Sequence, residues 1–402
     1  MKFLLSLLFI GIEAQAITLT DAVRRTWTQS DLIRGQATQY ELSSGDRWRR
    51  FLPNEPQLQY TSSDDNTAQS YGLSLTVPLP PKLIANAFVD AAKQVSQKAE
   101  FDARKYETAK NIIQAYVDCA SGNELVEQQT NSISDNEALG KTMRARYESG
   151  TATQAENIGI ELQIRQQRAD LRLSVDRAKL SCLKLKTFLN EPNKISGISL
   201  PDDIDADLVR EIGEGTADEK RARSAIGVAE TSKSVAWWMQ LPDLTVSVTR
   251  NHYVFLPGSP SGKEDTLTYG VGITIPILFP FRESVEAQRA RSQALVERTT
   301  AEIQLVNART DRADGAREYH RSVLRLTELR NKDLALAEAL MESTMSAYRT
   351  GKLGFAELVL ARKTLSDMRS QEIQLKSSII TARLRCLSEC ESLASDNKEN
   401  LE

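Results

Sequence analysis

The sequence repeats itself in order. Tyr71-Gly72, within Ser70 to Pro78, returns as Tyr269-Gly270 within Thr268 to Pro276, and Tyr147-Glu148-Ser149-Gly150 returns as Tyr348-Arg349-Thr350-Gly351. The interval from Glu156 to Glu357 equals that from Tyr147 to Tyr348, and the interval from Tyr71 to Tyr269 is three residues shorter. One matched dipeptide arises by chance, whereas ordered landmarks at a nearly constant offset indicate two copies of one unit. A boundary near residue 210, after Pro201 to Leu208, divides the chain into copies at 17–210 and 211–402.

Each copy predicts helix, strand, strand, very long helix and return helix. In the first, Thr20 is expected to cap a helix with Asp21 in its first turn, running to about Arg50 before Leu52-Pro53. Strands are expected near 54–79 and 243–278. Ser70 to Leu79 alternates, with Tyr71, Leu73, Leu75, Val77 and Leu79 opposite Gly72, Ser74 and Thr76; in the second copy Leu267 to Ile277 alternates against Thr268, Gly270, Gly272 and Thr274. A period of two collects the large apolar groups on one face. Pro78, Pro80 and Pro81, then Pro276 and Pro280, mark the exit from the strands, because proline cannot donate to a ladder.

Helical hairpins are expected at 82–191 and 282–392. Lys82 to Ser149 contains no proline, and apolar groups recur at threes and fours through Phe88, Ala92, Val95, Ala99 and Ala103, the pattern of one coiled-coil-like helix. At 1.5 Å per residue it would extend roughly 100 Å. Its counterpart runs from about Arg282 to Thr350. Both stop at glycine, the cheapest left-handed helix cap, and return helices follow at Thr153 to Glu191 and Gly354 to Cys390. Hairpins of this length enclose no globular core, so their small and aromatic stripes must bury against one another and against neighbouring chains. Arg165, Arg168, Asp170 and Arg172 are read as solvated helix face.

With 19 glycines, 12 prolines and 26% charged residues, the composition favours long helices, and the fold class is mainly α with a β contribution. Lys2, the apolar run Phe3 to Ile12 and Ala14-Gln15-Ala16 form a secretory signal at 1–16, so the mature chain is expected to start at Ile17. After it no run approaches 18 apolar residues, and any membrane span must be built of strands. Two strand hairpins cannot close a barrel, and lipid admits only closed sheets, so a membrane role requires several chains to pool their strands. A net charge of −3 gives no basis for nucleic-acid binding.

Catalysis finds no support in the sequence. The two histidines, His252 in an expected hairpin loop and His320 in the long helix, lie far apart, and no phosphate loop, nucleophile elbow or metal-ligand spacing is present. No cofactor or metal site is expected. Cys119 lies 31 residues before Gly150 and Cys182 lies 32 after it, so they stand at about one height on adjacent helices and are expected to pair, with two buried thiols as the alternative. Cys386 and Cys390, one helical turn apart, can pair together, pair elsewhere or stay reduced.

This doubled order resembles the TolC-like outer-membrane efflux protein family. The matching residues are Leu19-Thr20-Asp21-Ala22-Val23 with Asp31-Leu32, Leu52-Pro53, the Tyr71-Gly72-Leu73-Ser74-Leu75 and Tyr269-Gly270-Val271-Gly272-Ile273 strands, and the two tyrosine-to-glycine turns. The resemblance implies a homotrimer with one twelve-stranded barrel in outer-membrane lipid and a twelve-helix tunnel in the periplasm of a Gram-negative bacterium. It implies that Tyr147, Gly150, Tyr348 and Gly351 form tips that dock a periplasmic adaptor linked to an inner-membrane pump. Glu156 and Glu357 match the acidic positions of the tunnel-mouth constriction; each also suits the first turn of a helix, where the macrodipole favours a carboxylate. Two departures stand out: Ile17 replaces the lipid-bearing cysteine that many members carry, and Gly159 and Leu360 occupy places where some relatives carry a second acidic group. The rival expectation is a secreted periplasmic coiled-coil scaffold or adaptor, which would have no use for strands with a lipid-compatible face.

Overall fold

The structure is a computed structural model that describes residues 17–29, 33–35, 37–38, 40–41, 56–62, 68–190, 198–212, 216–238, 241–253, 264–273, 281–387 and 390. The signal at 1–16, Leu52-Pro53, Pro276 and Pro280 lie outside the described residues, as does the strand expected beyond Ile273. The chain is mainly helical with one four-stranded antiparallel sheet. In order it forms α1 (Leu19–Gln29), β1 (Gln57–Ser62), β2 (Ala68–Pro78), α2 (Pro80–Glu148), α3 (Gln154–Leu189), α4 (Ala206–Ile212), α5 (Ala217–Val235), β3 (Asp243–Tyr253), β4 (Glu264–Ile273) and α6 (Phe281–Glu328). A π-helical turn (Leu329–Asp333) then leads to α7 (Leu334–Arg349) and α8 (Phe355–Cys386).

Two sequence expectations are corrected here. Helix α1 begins at Leu19 and is capped by Thr18, whose hydroxyl accepts from the Asp21 amide at 3.2 Å, so Thr20 lies inside the helix. His252 sits inside β3, paired with Gln69 and Asp265, so the strand runs longer than the polar sequence suggested. The long helix of the first half does form without interruption, 69 residues starting at Pro80, where the missing amide hydrogen costs nothing.

The contacts fall into two units. One comprises residues up to 34 with 104–216 and 309–402. Its main core joins Ile17, Val23, Ile112, Ile113, Leu185, Leu208 and Leu384, all buried, so the opening residues, both return helices and the segment between the halves share one apolar centre. The Tyr116 hydroxyl donates to the carbonyls of Ile17 (3.0 Å) and Ser199 (3.2 Å), and burial pushes its ionisation up. Pro201 to Leu208 is thus a packed strap: Leu200, Ile204 and Leu208 are buried, and Asp202 receives Arg330 at 2.9 Å and Lys376 at 3.2 Å beside the π turn.

The other unit comprises 35–103 and 217–308. It carries the sheet, in the order β1-β2-β3-β4. Alanine recurs every seventh residue, at Ala222 and Ala229 in α5 with Ala236 just past its end, and at Ala287, Ala294 and Ala301 in α6, and all six are buried. A seven-residue spacing keeps one side of a helix facing its neighbour, and methyl side chains let backbones approach closely. Lys82 at the start of α2 bonds both carboxylate oxygens of Asp243 (2.9 and 3.0 Å) at the start of β3, fixing where strand gives way to helix.

Candidate functional site: two sheet faces and two glycine turns

The pairing register sorts the four strands into two faces. On one, Tyr60, Tyr71, Arg250 and Leu267 stand in a row, followed by Leu58, Leu73, Val248 and Tyr269, then Leu75, Val246 and Val271, then Val77, Leu244 and Ile273. Large apolar groups on this face are open to solvent, Leu58 at 82%, Val271 at 74% and Tyr269 at 73% exposure. A contiguous apolar sheet face of this kind marks a surface that something apolar covers. Strands β2 and β3 have 11 residues and β4 has 10, close to the roughly 9 to 11 that a tilted strand needs to cross a bilayer. At the end remote from α2, this face carries Gln69, His252 and Asp265 in a row; Asp265 pairs with Arg250 at 2.6 Å and with the His252 ring.

The opposite face has a different chemistry. Its rows read Thr61, Ser70, Asn251 and Thr266; Gln59, Gly72, Thr249 and Thr268; Gln57, Ser74, Ser247 and Gly270; then Thr76, Thr245 and Gly272. Gly270 lies against Ser247, whose hydroxyl an added Cβ would meet at 2.5 Å. Strands β1 and β4 are the two edges, and neither pairs on its outer side among the described residues.

The two turns are built alike. Gly150 and Gly351 both take φ +74°, the left-handed region that side chains disfavour. In the first, the Gly150 amide donates to the Tyr147 carbonyl (3.0 Å) and the Thr151 amide to the Arg146 carbonyl (2.8 Å); in the second, Gly351 donates to Tyr348 (3.1 Å) and Lys352 to Ala347 (2.9 Å). Both are Schellman caps, which satisfy carbonyls left over at a helix end.

The side chains around these turns are not equivalent. Tyr147 is 41% exposed, whereas Tyr348 is 6% exposed and packs with Leu139, Met143, Ile160 and Leu358, with the Arg146 guanidinium over its ring. Tyr348 therefore ties the two turns together and does not present itself to a partner. Glu156 closes a capping box: its carboxylate accepts from the Thr153 amide at 2.8 Å and its amide donates to the Thr153 hydroxyl at 3.3 Å. Glu357 is exposed, and Gly354 at its N-cap offers no side chain for the same exchange.

The structure joins Cys119 to Cys182, with Cα atoms 4.7 Å apart, linking α2 to α3. It also joins Cys386 to Cys390, the pairing left open by the sequence, just where Leu387 turns left-handed and α8 ends. Sequence reasoning missed a polar seam between the two apolar clusters of this unit. Arg362 donates to Asn136 (2.7 Å), Asn136 donates to Gln167 (2.7 Å), and Gln128 bonds Ser366 and Ser370, around a cavity of about 410 Å³. Burial pushes the Arg362 guanidinium below its ordinary value, opposed by nearby Asp135. Among the described residues no His, Cys, Asp and Glu side chains converge on a metal site, and no helix is long and apolar enough to cross a membrane.

No protein family matches the sequence, and no curated protein does. Solved structures do match the fold. The outer membrane protein VceC of Vibrio cholerae aligns with a TM-score of 0.73 at 15% identity over 92% of this chain and 95% of its own. The Neisseria gonorrhoeae MtrE outer membrane channel, in its open state, aligns with a TM-score of 0.69 at 14% identity, over 93% and 88%. The Campylobacter jejuni CmeC outer membrane channel aligns with 0.67 at 13% identity, over 96% and 90%. Across nearly its whole length the chain has the fold of outer-membrane channel proteins.

Proposed function

We propose that this chain is one of three identical subunits of a passive outer-membrane exit duct in a Gram-negative bacterium, serving a tripartite efflux or type I secretion system. The observation that carries this is the sheet: one face is largely apolar, with the row Leu58, Leu73, Val248 and Tyr269 crossing all four strands, while both outer edges stay unpaired among the described residues. Open edges are intolerable in lipid, and four strands are too few to close, so three copies with twelve strands meet both demands. The exposed apolar groups of the helices, such as Phe88, Val95, Leu162, Leu180 and Ile303, then find cover against neighbouring subunits.

In this assembly 17–210 and 211–402 act as two copies of one unit, each supplying two strands and one helical hairpin. Turns at Gly150 and Gly351 dock a periplasmic adaptor, with Tyr147 as the tyrosine available for contact. Glu156 and Glu357 ring the mouth with six carboxylates, a field favouring cations, although the capping box holds Glu156 back towards Thr153. The duct is passive in this reading, an inner-membrane pump supplies direction, and the cargo comprises small molecules or metal ions.

The test is fractionation of the secreted protein. Recovery in the outer membrane as a heat-modifiable trimer that conducts ions in a planar bilayer supports the proposal. Recovery as a soluble periplasmic monomer overturns it in favour of a coiled-coil scaffold.

A further inference from the structure

The apolar face of the sheet ends in charge. Along β3, Leu244, Val246 and Val248 are aliphatic; the same face then carries Arg250 beside Tyr71 and, one row on, His252 between Gln69 and Asp265. Asp265 bridges the two bases: one carboxylate oxygen accepts from Arg250 Nη2 at 2.6 Å, and the other meets His252 Nδ1. Arg250 lies opposite Leu267 in the ladder, yet its guanidinium reaches to Asp265 in the next row, away from the aliphatic rows, and its side chain is 65% exposed. Such a snorkelling arginine carries its charged head out of an apolar layer towards a polar one. Tyr60 and Tyr71, their ring centroids 5.1 Å apart, stand in the same row as Arg250.

The depth of the cluster identifies that polar layer. From Asp243 to His252, β3 advances about 31 Å at ~3.4 Å per residue, which is about 23 Å across a membrane at a strand tilt of ~40°. The lipid-facing band of an outer-membrane barrel is about 25 Å tall, with aromatic residues at both of its edges. The cluster therefore stands where hydrocarbon gives way to headgroups, with Tyr60 and Tyr71 as its aromatic flank, while Lys82 and Asp243 mark the opposite edge. Helix α2 starts at that opposite edge, so the cluster belongs to the leaflet remote from the helices, the outer one.

We propose, resting on the duct reading, that Arg250 and His252, held on Asp265, bind the phosphate group of an outer-leaflet lipid. Arginine meets a phosphate with two parallel N–H donors, and such charge-assisted bonds are stronger than neutral ones. Asp265 takes one N–H of Nη2, which leaves one two-donor edge of the guanidinium whole. Two bases on one carboxylate also leave positive charge over when the imidazole is protonated, which a lone arginine and aspartate pair lacks. With one site per subunit, the trimer holds three lipids around its rim and is fixed at one depth in the bilayer.

Native mass spectrometry of the detergent-solubilised trimer tests this. The probes are phosphatidic acid, the diacylglycerol with the same acyl chains, and inorganic phosphate. The native trimer should take up to three phosphatidic acids, at least about tenfold more tightly than the Arg250→Gln trimer, as loss of a bond to a charged group predicts. Arg250→Lys, which keeps the charge without the fork, should fall between them. Equal affinity of native and Arg250→Gln trimers for phosphatidic acid overturns the site, as does equal binding of diacylglycerol by the native trimer, a comparison that stands even where Arg250→Gln does not assemble. Displacement of the lipid by inorganic phosphate shows a site for free anions and overturns the headgroup assignment. Each of these failures leaves the trimer, and the duct reading, intact. Failure to recover any membrane trimer overturns the duct reading and the lipid site with it.

Discussion

The two helical hairpins end in turns of nearly identical backbone, yet they are held by different means. The first hairpin has an uninterrupted outgoing helix, a capping box at Thr153 and Glu156, and a covalent bond from Cys119 to Cys182. The second is broken by a π turn at Leu329–Asp333, starts its return helix at Gly354 without a side-chain cap, and gains its fixation from Tyr348 and the Asp202 strap. A repeated sequence can thus preserve turn geometry while stability is redistributed: the first arm is stabilised within itself, and the second by what it leans on.

The largest test of this contrast is covalent. Closing a span of 63 residues, Cys119–Cys182 should contribute about 4 kcal/mol on the loop-entropy account, against about 2 kcal/mol for the Cys386–Cys390 span of 4. Urea unfolding of Cys119→Ala/Cys182→Ala and of Cys386→Ala/Cys390→Ala checks the order, and equal losses would break the contrast. Next, Tyr348→Ala should cost about 3 kcal/mol by emptying the tip core, whereas Tyr147→Ala should stay within about 0.5 kcal/mol; thermal unfolding followed by circular dichroism reads both.

Gly150→Ala and Gly351→Ala should each cost about 1 to 2 kcal/mol, and by the same amount, because both glycines take φ +74° and neither would meet a neighbouring atom within 4 Å. Unequal costs would show that the turns differ in backbone after all. Thr153→Ala should cost about 1 kcal/mol through loss of the cap. The smallest effect is in acid. The Arg330 bond, then Lys376, holds the Asp202 carboxyl below its ordinary value, so its contribution is present above that value of 3.8 and lost as pH falls below it. The pair is solvent-exposed and contributes at most about 1 kcal/mol. Asp202→Asn should flatten the acid limb of the stability profile below pH 4, measured by denaturation across pH.

Which parts were legible follows from the range of the forces involved. Alternation in Ser70 to Pro78 and the proline-free stripe after Lys82 are local patterns, and the sheet and the long helix could be read from them. The equal height of Cys119 and Cys182 about Gly150 was also readable, since a hairpin converts sequence distance into position. The different fates of Tyr147 and Tyr348 were not, because they depend on which arm lies over which: Met143 and Leu139 come from the other hairpin. Nothing in Leu-Arg-Asn-Lys-Asp marks the π turn, which contains neither glycine nor proline. Threonines flank Leu19 on both sides, and which of them caps α1 rests on where Ile17 is anchored.

That anchor bears on the order of folding. Ile17 and Ser199 meet at the Tyr116 hydroxyl, and the same apolar centre includes Ile380 and Leu384 near the other terminus. Contacts so distant in sequence carry a high loop-closure cost and form slowly. Ile17 can meet Tyr116 once 99 residues have followed, but its core is completed only by Ile380 and Leu384, 363 and 367 residues after it. A chain made from its N-terminus can therefore assemble part of this core early, yet it keeps the surfaces awaiting Ile380 and Leu384 exposed until its last helix has been made.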